Sequence, residues 1–199
     1  MTEAYDLNPM PHRVTIRCPD CGSAAEFEFA EVVRIQLAKD VAFFQKSDAF
    51  EYQLFEDSCG GRWHGALFFH GLRGSTFEVI RNLPEGYSPE DWAHSRYLRR
   101  SHGYDIGTVT CQGCGCRRKH ALTWPADAFF QIDYKGKALW AFDRESTTVL
   151  LDYVRSESRK RDSRWKSFLL HIPSHFLTKK AREEVTRKLE RVLGAEVSP

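Results

Sequence analysis

Three observations in the sequence predict an α+β fold. Two Cys-x-x-Cys-Gly units, Cys18-Pro-Asp-Cys21-Gly22 and Cys111-Gln-Gly-Cys114-Gly115, lie far apart, each between segments with strand-like alternation. The stretch between them reads mainly as short strands separated by glycine and proline. The last quarter carries two amphipathic helical patterns. Together these predict two distant β-hairpins whose loops meet at one site, a β-rich insert over residues 30–106, and a C-terminal helical hairpin. The expected division is a core over 1–142 and a two-helix unit over 143–199 packed on it.

The chain has 199 residues, 42% of them hydrophobic and 28% charged, so it can bury a core and is neither disordered nor collagen-like. The start, Met1-Thr-Glu-Ala-Tyr-Asp, lacks the basic and then apolar stretch of a secretory signal. Apolar runs such as Gly65-Ala-Leu-Phe-Phe69 fall far short of the roughly 20 residues that span a bilayer. A cytoplasmic location without membrane contact is therefore expected. There thiols stay reduced, and paired cysteines favour a metal over disulfides.

The strand readings begin with Arg13-Val-Thr-Ile-Arg17 before the first unit and Ala25-Glu-Phe-Glu-Phe29 after it. Gly107-Thr-Val-Thr110 and His120-Ala-Leu-Thr-Trp124 flank the second. Two thiolates two residues apart in a tight turn can both face one ion about 2.3 Å away. The following glycine lets the backbone turn so that amides point at the sulfurs. Cys18, Cys21, Cys111 and Cys114 are thus the candidate ligands of one structural Zn²⁺. With four thiolates, no coordination position is left open for catalysis.

On these residues the chain resembles the zinc-ribbon group, whose signature is two such knuckles on β-hairpins. The likeness covers Arg13–Phe29 and Gly107–Trp124 and departs in the long stretch between them. The whole is similar to uncharacterised bacterial zinc-ribbon proteins with a helical C-terminal tail, a likeness that implies no particular activity. Cys59, in Ser58-Cys-Gly-Gly61, reads as a turn residue, and Cys116 stands too close to Cys114 to serve the same ion. The sharper reading joins Cys59, Cys116 and a histidine in a second site.

In the insert, Phe50–Phe55 alternates loosely. Arg62–His70 is apolar on both parities, which suits a strand buried on both faces. Val32–Phe44 is ambiguous between helix and strand. Ser88 caps a short helix with Pro89 at its first position. Beyond the second knuckle, Lys135-Gly136 joins two arms of a hairpin. Asp143 caps a helix predicted to reach about Arg161, with Val149, Leu150, Tyr153 and Val154 as its buried stripe. Thr178 caps the last helix, where Ala181, Val185, Leu189, Val192 and Leu193 form one face and Gly194 stands at the C′ position.

The formal charge of +2 conceals a split. Residues 1–110 hold 11 basic and 16 acidic residues, whereas residues 111–199 hold 18 and 11. Arg117, Arg118, Lys119, Arg159, Lys160, Arg161, Arg164 and Lys166, with Trp165 offered for stacking, are the candidate contacts to DNA or RNA. The plainer reading is helical ion pairing and charge–dipole complementarity. The rival function is a protein–protein adaptor acting through the insert.

No catalytic residue is nominated, and no small-molecule substrate is indicated. There is no phosphate loop, nucleophile elbow, His-Glu-x-x-His or dinucleotide fingerprint. Asp133-x-Lys135 with Asp127 resembles a fragment of a metal-dependent nuclease motif at too short a spacing, and His64 and His70 are spaced to share a strand face.

Overall fold

Alternation along Arg13–Arg17 buries Val14 and Ile16 and exposes Arg13 and Arg17, as expected of a strand with one face on a core. The computed structural model describes residues 10–57, 59–93, 97–98, 105–158 and 164–195. Within them the chain forms a mixed α+β structure with several antiparallel sheets and six α-helices. In chain order the elements are β1 (Met10–Pro11), β2 (Arg13–Arg17), β3 (Ala24–Phe29), β4 (Glu31–Arg34), α1 (Val41–Lys46), β5 (Glu51–Glu56) and β6 (Arg62–Phe68). Then come α2 (His70–Arg73), α3 (Thr76–Val79), β7 (Tyr97–Leu98), β8 (Ile106–Thr110), β9 (Arg117–Ala121), β10 (Gln131–Tyr134) and β11 (Lys137–Trp140). The helices α4 (Arg144–Arg155), α5 (Lys166–Leu170) and α6 (Lys179–Ala195) complete the chain.

Both knuckle hairpins belong to one four-stranded antiparallel sheet of order β2-β3-β8-β9. The middle ladder pairs Glu26 with Thr110 and Phe29 with Gly107. Because β3 leaves the first knuckle while β8 enters the second, antiparallel pairing puts both loops at the same end of the sheet. The insert leaves and returns at neighbouring points, since the Ala30 N–H donates to the Ile106 carbonyl at 2.9 Å. A long excursion with closed ends therefore leaves the sheet register intact.

The insert contains the three-stranded sheet β4-β6-β5. As the two-sided apolar pattern predicts, β6 is buried on both faces. Ala66 and Phe68 join Ile35, Phe44, Phe50, Ile80 and Trp92, while Leu67 joins Ala30, Phe55 and Phe69. The ambiguous Val32–Phe44 proves to be both types in succession, β4 at its start and α1 at its end, with a 3₁₀ turn at Ala38–Asp40 between them. Ser88 precedes a 3₁₀ turn rather than an α-helix, and the Asp91 carboxylate accepts its N–H at 2.8 Å.

The other face of the four-stranded sheet lies on the main core, which continues through β10, β11 and the C-terminal helices. Lys135 and Gly136, at φ 53° and 73°, form the two-residue turn of the β10–β11 hairpin. Asp143 caps α4: its carboxylate accepts the Ser146 N–H at 2.7 Å, and the Ser146 hydroxyl accepts the Asp143 N–H at 2.9 Å. Leu150, Tyr153 and Val154 are buried as predicted, and Val149 only partly.

Three helical expectations are corrected. α4 ends at Arg155, where Ser156 turns extended, short of Arg161. Residues 164–178, which lead into α6, are themselves structured, because Phe168, Leu169 and Phe176 bury and carry α5 and a 3₁₀ turn with them. Gly194 lies inside α6, which continues to Ala195, rather than at a C′ position. The Thr178 cap holds: its hydroxyl accepts the Ala181 N–H at 3.2 Å.

Phe142 sits where sheet and helices meet, 1% exposed and stacked between Trp124 and Trp165 at ring distances of 5.7 and 5.8 Å. Phe142→Ala is expected to destabilise the fold by about 3–5 kcal/mol, read from the urea midpoint at constant slope.

Candidate metal centre

Each knuckle is closed by the same two backbone hydrogen bonds. In the first, the Gly22 N–H donates to the Cys18 carbonyl at 2.8 Å and the Cys18 N–H to the Ser23 carbonyl at 2.7 Å. In the second, the Gly115 N–H donates to the Cys111 carbonyl at 3.0 Å and the Cys111 N–H to the Cys116 carbonyl at 2.8 Å. Gly22 and Gly115 stand at φ 75° and 73°, a left-handed conformation that strains any side chain. The two loops therefore correspond position by position, with Asp20 matching Gly113, Ser23 matching Cys116, and Ala25 matching Arg118.

This geometry brings together all four predicted cysteines. Their sulfurs lie within 4.8 Å of one another, with Cys18 to Cys114 and Cys21 to Cys111 both at 3.6 Å. That is far beyond the roughly 2.05 Å of a disulfide. A tetrahedral ion with bonds of about 2.3 Å needs sulfurs about 3.8 Å apart, so the set is sized to hold a metal ion. Cys18 and Cys111 are buried at 3% and 2%, whereas Cys21 and Cys114 face outward.

Charge within the set is uneven. The Ser23 hydroxyl, then its N–H, stabilise the Cys21 thiolate and hold its pKa down to about 6. The Cys116 N–H favours the Cys114 thiolate, but desolvation and the three neighbouring sulfurs outweigh it and push that thiol up to about 12. Four adjacent thiolates repel one another, and a dication removes that penalty as it displaces the protons.

Among the described residues, this is the one group of three or more Cys, His, Asp or Glu side chains close enough to hold an ion. The second site considered from Cys59 and Cys116 is not assembled. Cys59 is exposed in a turn where the Asp57 carboxylate accepts its N–H at 3.0 Å, while Cys116 closes the second knuckle. His64 Nδ1 pairs with the Tyr52 hydroxyl at 2.6 Å, and His70 Nε2 donates to the Trp92 carbonyl at 2.7 Å. The carboxylates of the nuclease-like fragment are engaged in local structure. Asp127 accepts from His120 at 3.0 Å and from the Thr123 N–H at 2.7 Å, and Asp133 accepts the Gly136 N–H at 3.3 Å.

The candidate nucleic-acid contacts divide. Arg118 pairs with Asp20 at 2.9 Å, Lys119 with Glu51, and Arg117 donates to the Gly71 carbonyl. Arg164 pairs with Glu145 and lies over the Trp165 ring. Trp165 is only 5% exposed, packed on Phe142 and Phe168, so its ring is not offered for stacking. Lys166 is exposed. Arg159, Lys160 and Arg161 lie outside the described residues.

Residues that the sequence reading missed are Asp20 and Ser23, which join the two knuckles or hold a sulfur. The signal available was positional: superposing the two motifs singles out the sites where they differ. No helix among the described residues is long and apolar enough to cross a membrane. Comparison of the chain with protein-family models, with curated proteins and with solved structures finds no match in any of the three.

At Gly22 and Gly115 an added Cβ meets nothing within 4 Å. Gly115→Ala is therefore expected to cost about 1–2 kcal/mol through backbone conformation alone. Thermal unfolding of the metal-free protein checks this; an unchanged midpoint would show that the turn relaxes without penalty.

Proposed function

We propose that this chain is a zinc-ribbon protein whose metal is structural and whose role is to bind a macromolecule rather than to catalyse a reaction. The observation that supports this reading most is the tetrathiolate geometry, four sulfurs at tetrahedral spacing on two matched knuckles. Thiolates select zinc over hard cations, and a filled set of four leaves no position for substrate or activated water. Cys18, Cys21, Cys111 and Cys114 would hold the ion, which would tie the loop ends of two hairpins already paired in one sheet.

As for the partner, the basic C-terminal half supports nucleic acid. With Trp165 packed and the cations after the second knuckle paired, the surface left for phosphates centres on α6, where Lys179, Lys180, Arg187 and Arg191 are exposed. The reading as a protein adaptor has its own support. Of the four large hydrophobic residues exposed among the described residues, Leu37, Leu54 and Phe77 all lie in the insert.

Metal analysis of the purified protein is expected to give one zinc per chain. Cobalt substitution is expected to give the visible bands of a tetrahedral thiolate site, lost in Cys111→Ser. A protein that carries no metal, or a cobalt spectrum of octahedral type, overturns the zinc assignment. Retention on immobilised nucleic acid that falls steeply between about 50 and 200 mM salt supports the phosphate reading. Absence of retention at low salt, with salt-resistant capture of a protein lost in Leu54→Ser/Phe77→Ser, supports the adaptor.

A further inference from the structure

The match between the two knuckles breaks where Asp20 faces Gly113, Ser23 faces Cys116 and Ala25 faces Arg118 in the correspondence, and the break has a direction. On one side, Asp20 at the tip of the first knuckle meets the second: its carboxylate takes Arg118 Nη2 at 2.9 Å and lies in hydrogen-bonding contact with Cys116. On the opposite side the corresponding residues are Gly113, Ala25 and Ser23, which offer no charge and little bulk. A Cβ built at Gly113 would stand 3.6 Å from the Ser23 hydroxyl oxygen and 3.8 Å from the Cys111 sulfur. The side that carries the clasp is thus bridged, and the other is bare.

A cleft of about 1150 Å³ opens on the bare side. Its walls include Cys21, Ser23, Gln112 and Gly113, with Thr15 and Thr110 of the sheet. Asp20, Cys114, Cys116 and Arg118 are not among its lining residues. Asp20 and Arg118 are each half exposed, so their pair contributes little to stability, and its geometric effect is to span the two loops. The β3–β8 ladder and a core that includes Cys18 and Cys111 hold both knuckles in place.

We infer that the metal centre exchanges its ion with a small thiol ligand that reaches Cys21 through this cleft, while the Asp20–Arg118 clasp closes the opposite side. The inference rests on the zinc reading. With an ion bound, Cys21 would be the ligand open to an incoming thiol, and a substitution there would pass the thiol's proton to the Cys21 sulfur and consume no oxidant or reductant. Ser23 and Gln112 offer hydrogen bonds at the mouth of the cleft, and the outward placement of Cys21 makes it the ligand met first.

The test measures transfer of zinc from the loaded full-length protein to pyridylazo-resorcinol, with reduced glutathione as the thiol. Transfer by the wild-type protein is expected to accelerate with glutathione. Gly113→Leu, which adds bulk at a position free of backbone strain, is expected to lower the glutathione-dependent rate about tenfold at near wild-type affinity. Asp20→Ala is expected to abolish that block by opening the second side. If Gly113→Leu does not load zinc, Gln112→Trp at the exposed rim is judged by the same rate. A wild-type protein without zinc overturns both this inference and the zinc reading. Zinc that is held but released at a rate indifferent to glutathione, or a plugged variant as fast as wild type, overturns the inference alone.

Discussion

The antiparallel ladder between β3 and β8 is the constraint from which the rest of the structure follows. One hairpin delivers Cys18 and Cys21, another delivers Cys111 and Cys114, and only side-by-side pairing of their inner strands puts both loops at one end of one sheet. Had β8 run parallel to β3, the loops would lie at opposite ends, separated by the length of a strand. The same ladder fixes where the insert departs and returns, at Ala30 and Ile106, and leaves the other sheet face to the aromatic core around Phe142.

Near-symmetry followed by its local loss shapes the centre. Matched hydrogen bonds and matched left-handed glycines give two loops of one shape, which the β3–β8 ladder sets side by side so that four sulfurs cluster. Asp20 and Arg118 then bridge one flank, while Gly113 and Ala25 leave the other open. Four thiolates on one ion would leave no position for substrate chemistry, whereas Cys21, exposed beside the cleft, would still face a competing ligand. Closure toward catalysis and openness toward exchange are separate properties, the first set by ligand count and the second by the surrounding side chains.

Charge illustrates how a sum in sequence can mislead about a surface. The excess of cations in the C-terminal half is real, but several are paired with carboxylates distant in sequence. Arg118 pairs with Asp20, Lys119 with Glu51, and Arg155 with Glu190. In the first two of these pairs a carboxylate of the acidic half neutralises a cation of the basic half, so the polarity along the chain is partly cancelled in space. Among the described residues, Lys179, Lys180, Arg187 and Arg191 on α6 remain exposed.

The sequence by itself determined the local features. The Cys-x-x-Cys-Gly spacing named the four clustered cysteines because both members of each pair and their glycine lie within one turn. Alternation located both strands of the first knuckle, the strand before the second, and the two-sided burial within β6, but it set the strand after the second knuckle at His120–Trp124 where the structure has Arg117–Ala121; the Asp143 and Thr178 caps were legible because a cap acts on residues three positions away. What only the tertiary structure decided is whatever depends on partners remote in the chain. The Asp20–Arg118 clasp spans the whole insert, Trp165 is buried by Phe142 and Phe168, and residues 164–178 ahead of α6 fold because their apolar side chains find the core. α4 also ends short of Arg161, and Gly194 continues a helix that it was expected to stop. Spacing and periodicity report on bonds within a few residues, whereas burial and charge pairing depend on which distant surfaces meet. In this protein the β3–β8 ladder decides much of that.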